Sequence, residues 1–281
     1  MQARLPTVVV PVFNSVAGLD ACVASLDRTL PAGCAVLVVD DASGDPRVEA
    51  LARGWCQRSP LSAGYVRRES QLGLARNLEA ALVGLGEADV VVLDADSVAT
   101  PGWLQQISAQ AVRAPRSATL SPWSNGAGLC SFPRFADGNP APDFPEVIAE
   151  AAASLAFEPC PELPSIAGPC LFLRREALRQ IGGLDGRSFP GAAALEDFSR
   201  RAAAMGWISQ PCPSAFVVSL PASGPANIQA EGQGSLATRW PACHEEVARF
   251  ILADPMRLLR ERLQARIDEL ARSGPQRDLF N

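Results

Sequence analysis

Lysine is absent from the 281-residue chain: all 25 basic residues are arginine. With abundant Ala, Gly and Pro, this reads as the coding bias of a GC-rich genome. Because no other cation is used, an arginine here is weak evidence for a phosphate contact. Histidine occurs once, and none of the 8 cysteines belongs to a C-x-x-C pair, which excludes the usual zinc sites. The cysteines read as buried, reduced thiols; a Cys160–Cys170 bridge is the one pairing weighed against this. No apolar run approaches the roughly 20 residues that cross a bilayer. The run in "MQARLPTVVVP" is too short for a secretory signal, so a soluble cytoplasmic protein is expected. An excess of positive charge is missing too: the net charge of −5 argues against general nucleic-acid binding.

What is present is an ordinary globular composition, 48% apolar and 20% charged, long enough for one large core or a core plus a subdomain. The first hundred residues alternate strand and helix signals. "TVVVPVF" (7–13) is a continuous β-branched run of the kind buried on both faces. Strands are also expected at 35–43, 64–70 and 88–96, with helices at 15–26, 45–58 and 73–85, Asp45 capping the second. This alternation predicts a doubly wound α/β sheet, mostly parallel, with helices on both faces. Residues 121–165, rich in Pro, Ser, Gly and Asn, read as a long functional loop containing a helix at 144–157. Beyond it come a strand running into a helix stopped by a Gly pair (168–185), a helix (194–207), a strand (214–220) and an Arg/Glu-laced helix (254–274).

In such sheets ligands bind at the carboxyl ends of the strands. Polar residues gather there: Asn14 after the first strand, Asp40 and Asp41 after the second, Asp94 and Asp96 after the fourth. In "DVVVLDADSVATPGW" two carboxylates one residue apart close a buried run. Their repulsion is relieved by a proton or a divalent cation, and an ion of the Mg²⁺ type uses one or two carboxylates plus phosphate oxygens and water. The competing reading is a solvated turn in which Asp96 caps the helix that "PGWLQQISAQ" begins, with Pro101 in its first turn. Asp40 and Asp41 suit either a hydrogen bond to a base or an Asx-type turn. Arg76 suits either a diphosphate contact or a solvent-facing helix position.

The ordered set "VVVPVFNS", "VLVVDDASGD", "GLARN", "VVVLDADSVATPGWL" and "LEDFSRRAAAMGW" resembles the family 2 glycosyltransferases with their GT-A fold. "SPWSNGAGLCSFPRF" and "ELPSIAGPCLFLRREALRQIGGLD" resemble acceptor-side segments of bacterial members. The resemblance covers about residues 6–255. It implies a glycosyltransferase domain over 1–253, with a nucleotide-sugar half at about 1–115 and an acceptor half at about 116–253, followed by a C-terminal helix and tail at 254–281. It further implies inverting transfer from a nucleoside-diphosphate sugar, UDP first among the nucleotides, to a sugar or lipid-linked acceptor of the bacterial cell surface. It is compatible with peripheral association at the inner face of a membrane. Carried over, Pro11, Phe13 and Asn14 line the nucleotide pocket. Asp40 or Asp41, with the balance toward Asp41, reads the base, and Arg76 approaches the diphosphate. Asp94 faces the ribose and diphosphate, and Asp96, with Asp94, ligates Mg²⁺ or Mn²⁺.

Two departures stand out. The family's E-D-x-D segment supplies the general base, and the natural candidates are Glu196 and Asp197. Yet counting back from Arg201 and Gly206-Trp207 puts Asp197 on the later Asp and the base position on Leu195, in which case Asp197 only anchors its helix. A third metal ligand, often His, is replaced by Ser219, and the lone His244 reads as a helix-start residue. A rival reading is a degenerate GT-A domain that binds nucleotide or a partner protein without catalysis. A nucleotidyltransferase is disfavoured because "PVFNSVAGLD" lacks a basic, Gly-rich loop.

Overall fold

The computed structural model describes residues 5–135, 138–166, 168–221 and 233–273. The first four residues and the tail from 274 to 281 lie outside them. The chain opens as β1 (Thr7–Val12), α1 (Val16–Thr29), β2 (Ala35–Asp40), α2 (Pro46–Arg58), β3 (Ser62–Arg67), α3 (Leu74–Gly84) and β4 (Val90–Leu93). It continues through β5 (Ser97–Ala99), α4 (Trp103–Arg113), β6 (Ser117–Trp123), a 3₁₀ turn at Gly128–Cys130, α5 (Pro145–Ala153), β7 (Cys170–Leu173) and α6 (Arg175–Ile181). The remainder is α7 (Ala193–Ala204), β8 (Ile208–Ser219), α8 (Gln233–Arg239), α9 (Cys243–Ala253) and α10 (Arg257–Ser273).

The eight strands form one sheet in the order β3-β2-β1-β4-β7-β6-β8-β5. β3, β2, β1 and β4 run parallel, whereas β7 is antiparallel to both of its neighbours and β5 is antiparallel to β8. The β-branched runs explain the layering. Val8, Val10, Val36, Val38, Val91 and Leu93 pack on the face covered by α1, α2 and α4. Val9, Val39, Val90 and Val92 pack on the face covered by α3, α6 and α7. A strand buried on both sides has no polar face to show, so it reads as a continuous apolar run. Pro11 fits the interior strand β1 because pairing to β4 ends at Val9, leaving β2 as its only neighbour there.

A third core joins β6, the loop after it, α5 and β8 to the C-terminal region. Trp123, Phe132, Ile148 and Phe216 meet Met256, Leu259 and Leu263 of the C-terminal region. The helix expected at 254–274 is therefore packed on one face against this core; most of its Arg and Glu residues lie on the other, but Arg260 is buried and stacks over Phe135.

Two expectations change. The stretch after Asp96 is the short strand β5, and α4 starts only at Trp103 behind a left-handed Gly102; Asp96 does not cap that helix. The segment from 121 onward is not irregular at its start, because β6 runs to Trp123 with all seven residues buried. Asp45 caps α2 as expected, accepting from Arg47 N–H. Gly182, at φ +90°, ends α6, a backbone that favours glycine. All eight cysteines are free thiols, six of them buried. Among the described residues no helix is long and apolar enough to cross a membrane.

Candidate active site

Four parallel strands place their carboxyl ends on one rim, and the loops there are tied together by side chains. After β1 the chain turns through Asn14, at φ +54°, a conformation Asn tolerates better than most residues. Asn14 N–H donates to Ser43 Oγ at 2.9 Å, and its Oδ1 accepts from Gly44 N–H at 2.8 Å. These bonds stitch the β1 loop to the β2 loop. Asn14 also lines a groove of about 440 Å³ between the starts of α1 and α2, with Val16, Asp20, Asp45 and Arg47. Pro11 is buried in the strand, while Phe13 is half-buried at its end.

Asp40 and Asp41 behave differently. Asp40 is fully buried and accepts from Ser43 N–H at 2.9 Å and from the chain's one tyrosine, Tyr65 Oη–H, at 2.7 Å. The Arg67 guanidinium approaches it at 3.6 Å. Burial and the Asp40 charge push the Tyr65 hydroxyl up, so it stays a donor. Asp41 turns toward the start of α3 and accepts from Leu72 N–H and Gly73 N–H, both at 2.8 Å. A carboxylate offers about four acceptor sites, so Asp41 keeps acceptor capacity. Arg76 is exposed in the first turn of α3. Gly186 presses on it: a Cβ there would lie 2.9 Å from Arg76 N and Cγ.

The segment Asp94-Ala95-Asp96 crosses from β4 in the middle of the sheet to β5 at its edge. Its backbone is clamped at both ends, since Asp94 N–H donates to Pro169 O and Asp96 O accepts from Leu220 N–H, each at 2.8 Å. Both carboxylates are half-buried. Burial, reinforced by the charge of Asp96, pushes the Asp94 carboxyl up to about 7. Asp96 Oδ1 accepts the Ser15 hydroxyl at 2.7 Å. This links the β4 end directly to the start of α1, a contact the sequence reading missed.

The donor set fits a hard divalent cation: two carboxylate side chains one residue apart, their mutual repulsion uncompensated by any ion pair among the described residues. Among the described residues no group of three or more His, Cys, Asp and Glu converges as a metal site. Ser219 stands opposite Ser97 in the β5–β8 ladder. Its N–H donates to Asn125 Oδ1 at 2.7 Å and its carbonyl accepts from Asn125 Nδ2 at 2.9 Å. His244 lies exposed in the first turn of α9.

In α7 the three candidate positions have distinct surroundings. Leu195 sits in the core. Glu196 is 7% exposed; it accepts from Ser165 Oγ at 2.7 Å, Ile166 N–H at 3.0 Å and Arg200 Nε at 3.1 Å. Burial raises its pKa against the pull of those donors. Asp197 is fully buried, with Oδ2 on Arg201 at 2.7 Å and Oδ1 on Trp240 Nε1 at 3.0 Å. Arg201 in turn donates to the carbonyls of Ile181 and Gly183 at the end of α6. Ser165 and Ile166 thus meet Glu196, and Pro169 meets Asp94.

With this geometry in hand, the comparisons are specific. The profile described as "Glycosyl transferase family 2" matches residues 7–182; α7 and β8 follow the matched region. No curated protein matches the sequence significantly. Among solved structures, a mannosyltransferase, PcManGT from Pyrobaculum calidifontis in complex with GDP-Man and Mn²⁺, is similar at 21% identity and a TM-score of 0.59, over 95% of this chain and 75% of that one. GalNAc-T7 with UDP, GalNAc and Mn²⁺ is similar at 15% identity and a TM-score of 0.58, over 79% of this chain and 45% of that one. S. aureus TarS 1-349 in complex with UDP-GlcNAc is similar at 18% identity and a TM-score of 0.54, over 78% and 59%. At these identities the likeness establishes the fold, GT-A, and the match over more than half of the chain establishes the family: the protein belongs to glycosyl transferase family 2.

Proposed function

We propose that the protein transfers a sugar from a nucleoside diphosphate to an acceptor hydroxyl with inversion at the anomeric carbon. The observation that carries this is the Asp94–Asp96 crossing, clamped by Pro169 and Leu220 and joined to Asn14-Ser15 at the strand-end rim. In this reading the β1 loop, Phe13 and Asn14, lies against the nucleotide. Both aspartates are buried, at 0% and 4% exposure; Asp41 reads the base through its remaining acceptor sites, because Asp40 is engaged by Ser43, Tyr65 and Arg67. Arg76 meets the diphosphate from the start of α3. A divalent cation, Mg²⁺ or Mn²⁺, held by Asp94 and Asp96 would supply charge neutralisation to the leaving diphosphate. The similar structures, one solved with GDP-Man and Mn²⁺ and one with UDP, GalNAc and Mn²⁺, support this assignment.

The acceptor oxygen attacks the anomeric carbon from the face opposite the diphosphate, and its proton must pass to a carboxylate. Of the two candidates, Glu196 suits the task better. Its raised proton affinity favours accepting a proton, and it is bound by Ser165 and Ile166, three residues short of the Pro169 carbonyl that holds Asp94 N–H. Asp197 is committed to Arg201 and Trp240.

Calorimetric titration with UDP, dTDP and GDP in Mn²⁺ tests the donor side. Binding of at least one, weakened when Mn²⁺ is omitted, is expected; binding of none ends the proposal. The second reading, a nucleotide-binding domain without catalysis, is favoured by Leu195 in the core and by the engagement of both Asp197 oxygens, Oδ2 with Arg201 and Oδ1 with Trp240. Acceptor-free hydrolysis separates the two: slow release of free sugar marks an enzyme.

A further inference from the structure

We infer that Ser15 and Gly18 are positioning residues that hold the Asp96 carboxylate over the first turn of α1. The inference rests on the cation-binding reading above. Ser15 is the N-cap of α1, at φ −104° and ψ 88°. A serine there ordinarily accepts an N–H from the first turn, yet this one makes no side-chain cap bond. Its buried hydroxyl instead donates across 81 residues of sequence to Asp96 Oδ1, at 2.7 Å. Gly18 is a second oddity, since an isolated glycine inside a helix destabilises it relative to alanine.

The space explains the glycine. A Cβ at Gly18 would lie 2.0 Å from Asp96 Oδ1, 2.9 Å from Asp96 Cγ and 2.5 Å from Ser15 Oγ. Any side chain there evicts the carboxylate. The missing cap bond and the helical glycine thus have one cause: the Asp96 carboxylate occupies the volume over the helix start. There Ser15 engages Oδ1, and Oδ2 makes no hydrogen bond among the described residues. A ligand carboxylate fixed by a hydrogen-bonded neighbour binds metal more tightly than a free one, and losing such a neighbour typically costs about 10–100-fold in affinity.

The test is Mn²⁺ affinity, read by electron paramagnetic resonance in the presence of UDP or GDP, whichever the wild type binds. Ser15→Ala should weaken Mn²⁺ binding about 10-fold or more. Its melting temperature should stay near wild type, because no cap bond is lost. Ser15→Thr, which keeps the hydroxyl, should restore the affinity, and Gly18→Ala should lower it. Wild-type affinity in Ser15→Ala, or equal weakness in Ser15→Thr, overturns the positioning role while leaving the cation reading intact. A wild type that holds no Mn²⁺ with either nucleotide overturns both.

Discussion

Replacing Asp96 by asparagine should lower sugar release from the nucleotide donor by on the order of 10²–10³-fold, the usual cost of removing one preorganised group that stabilises developing negative charge. The substitution keeps the volume and an oxygen that can still accept the Ser15 hydroxyl. The fold should therefore survive: Asp96 is half-buried and its backbone bond to Leu220 does not depend on the side chain. The prediction is checked by steady-state hydrolysis and thermal unfolding of the same preparation. Lost turnover with an unchanged melting temperature supports the rim as the reaction site, and unchanged turnover removes Asp96 from it.

The second large effect is on stability. Asp197→Ala leaves the Arg201 guanidinium, whose side chain is 17% exposed, without its carboxylate. It also leaves Trp240 Nε1 without an acceptor. Removing one partner of a buried ion pair costs about 3–5 kcal/mol. The lower end applies here because Arg201 keeps two backbone carbonyls. Denaturant unfolding should register this loss directly. Glu196→Gln should behave in the opposite way, with a smaller change in stability and a loss of turnover. If Asp197→Asn stays fully folded and inactive while Glu196→Gln turns over normally, the assignment of base and anchor is reversed.

These predictions show how differently the parts of the site could be read from sequence. β1, β2 and β4 are legible because strands covered on both faces cannot carry polar residues, so "TVVV" and "DVVVL" announce themselves. The rim follows from them, since parallel strands end together; Asp40 closes β2, and Asn14, Asp41, Asp94 and Asp96 follow their strands within three residues. β5 is not legible. Its three residues carry no period, and its pairing with β8 spans more than a hundred positions. β6 was hidden by Pro122, which reads as a loop signal although it is buried and pairs with Cys212 of β8. The Ser15–Asp96 contact was invisible for the same reason as β5. Nothing local in "NSVAG" points to a carboxylate 81 residues away, although the glycine inside a helical pattern was a usable hint. In α7, counting residues left Leu195 and Asp197 in competing registers. Burial then separates their environments: one side chain is in the core and the other is locked to an arginine.

The central claim is tested most directly by a crystal structure grown with Mn²⁺ and the nucleoside diphosphate that binds, using anomalous scattering to locate the ion. The account predicts a manganese peak against the Asp96 carboxylate and the diphosphate oxygens, with Ser15 still hydrogen-bonded to Asp96. A bound nucleotide whose diphosphate lies away from Asp94 and Asp96, with no ion between them, would contradict it.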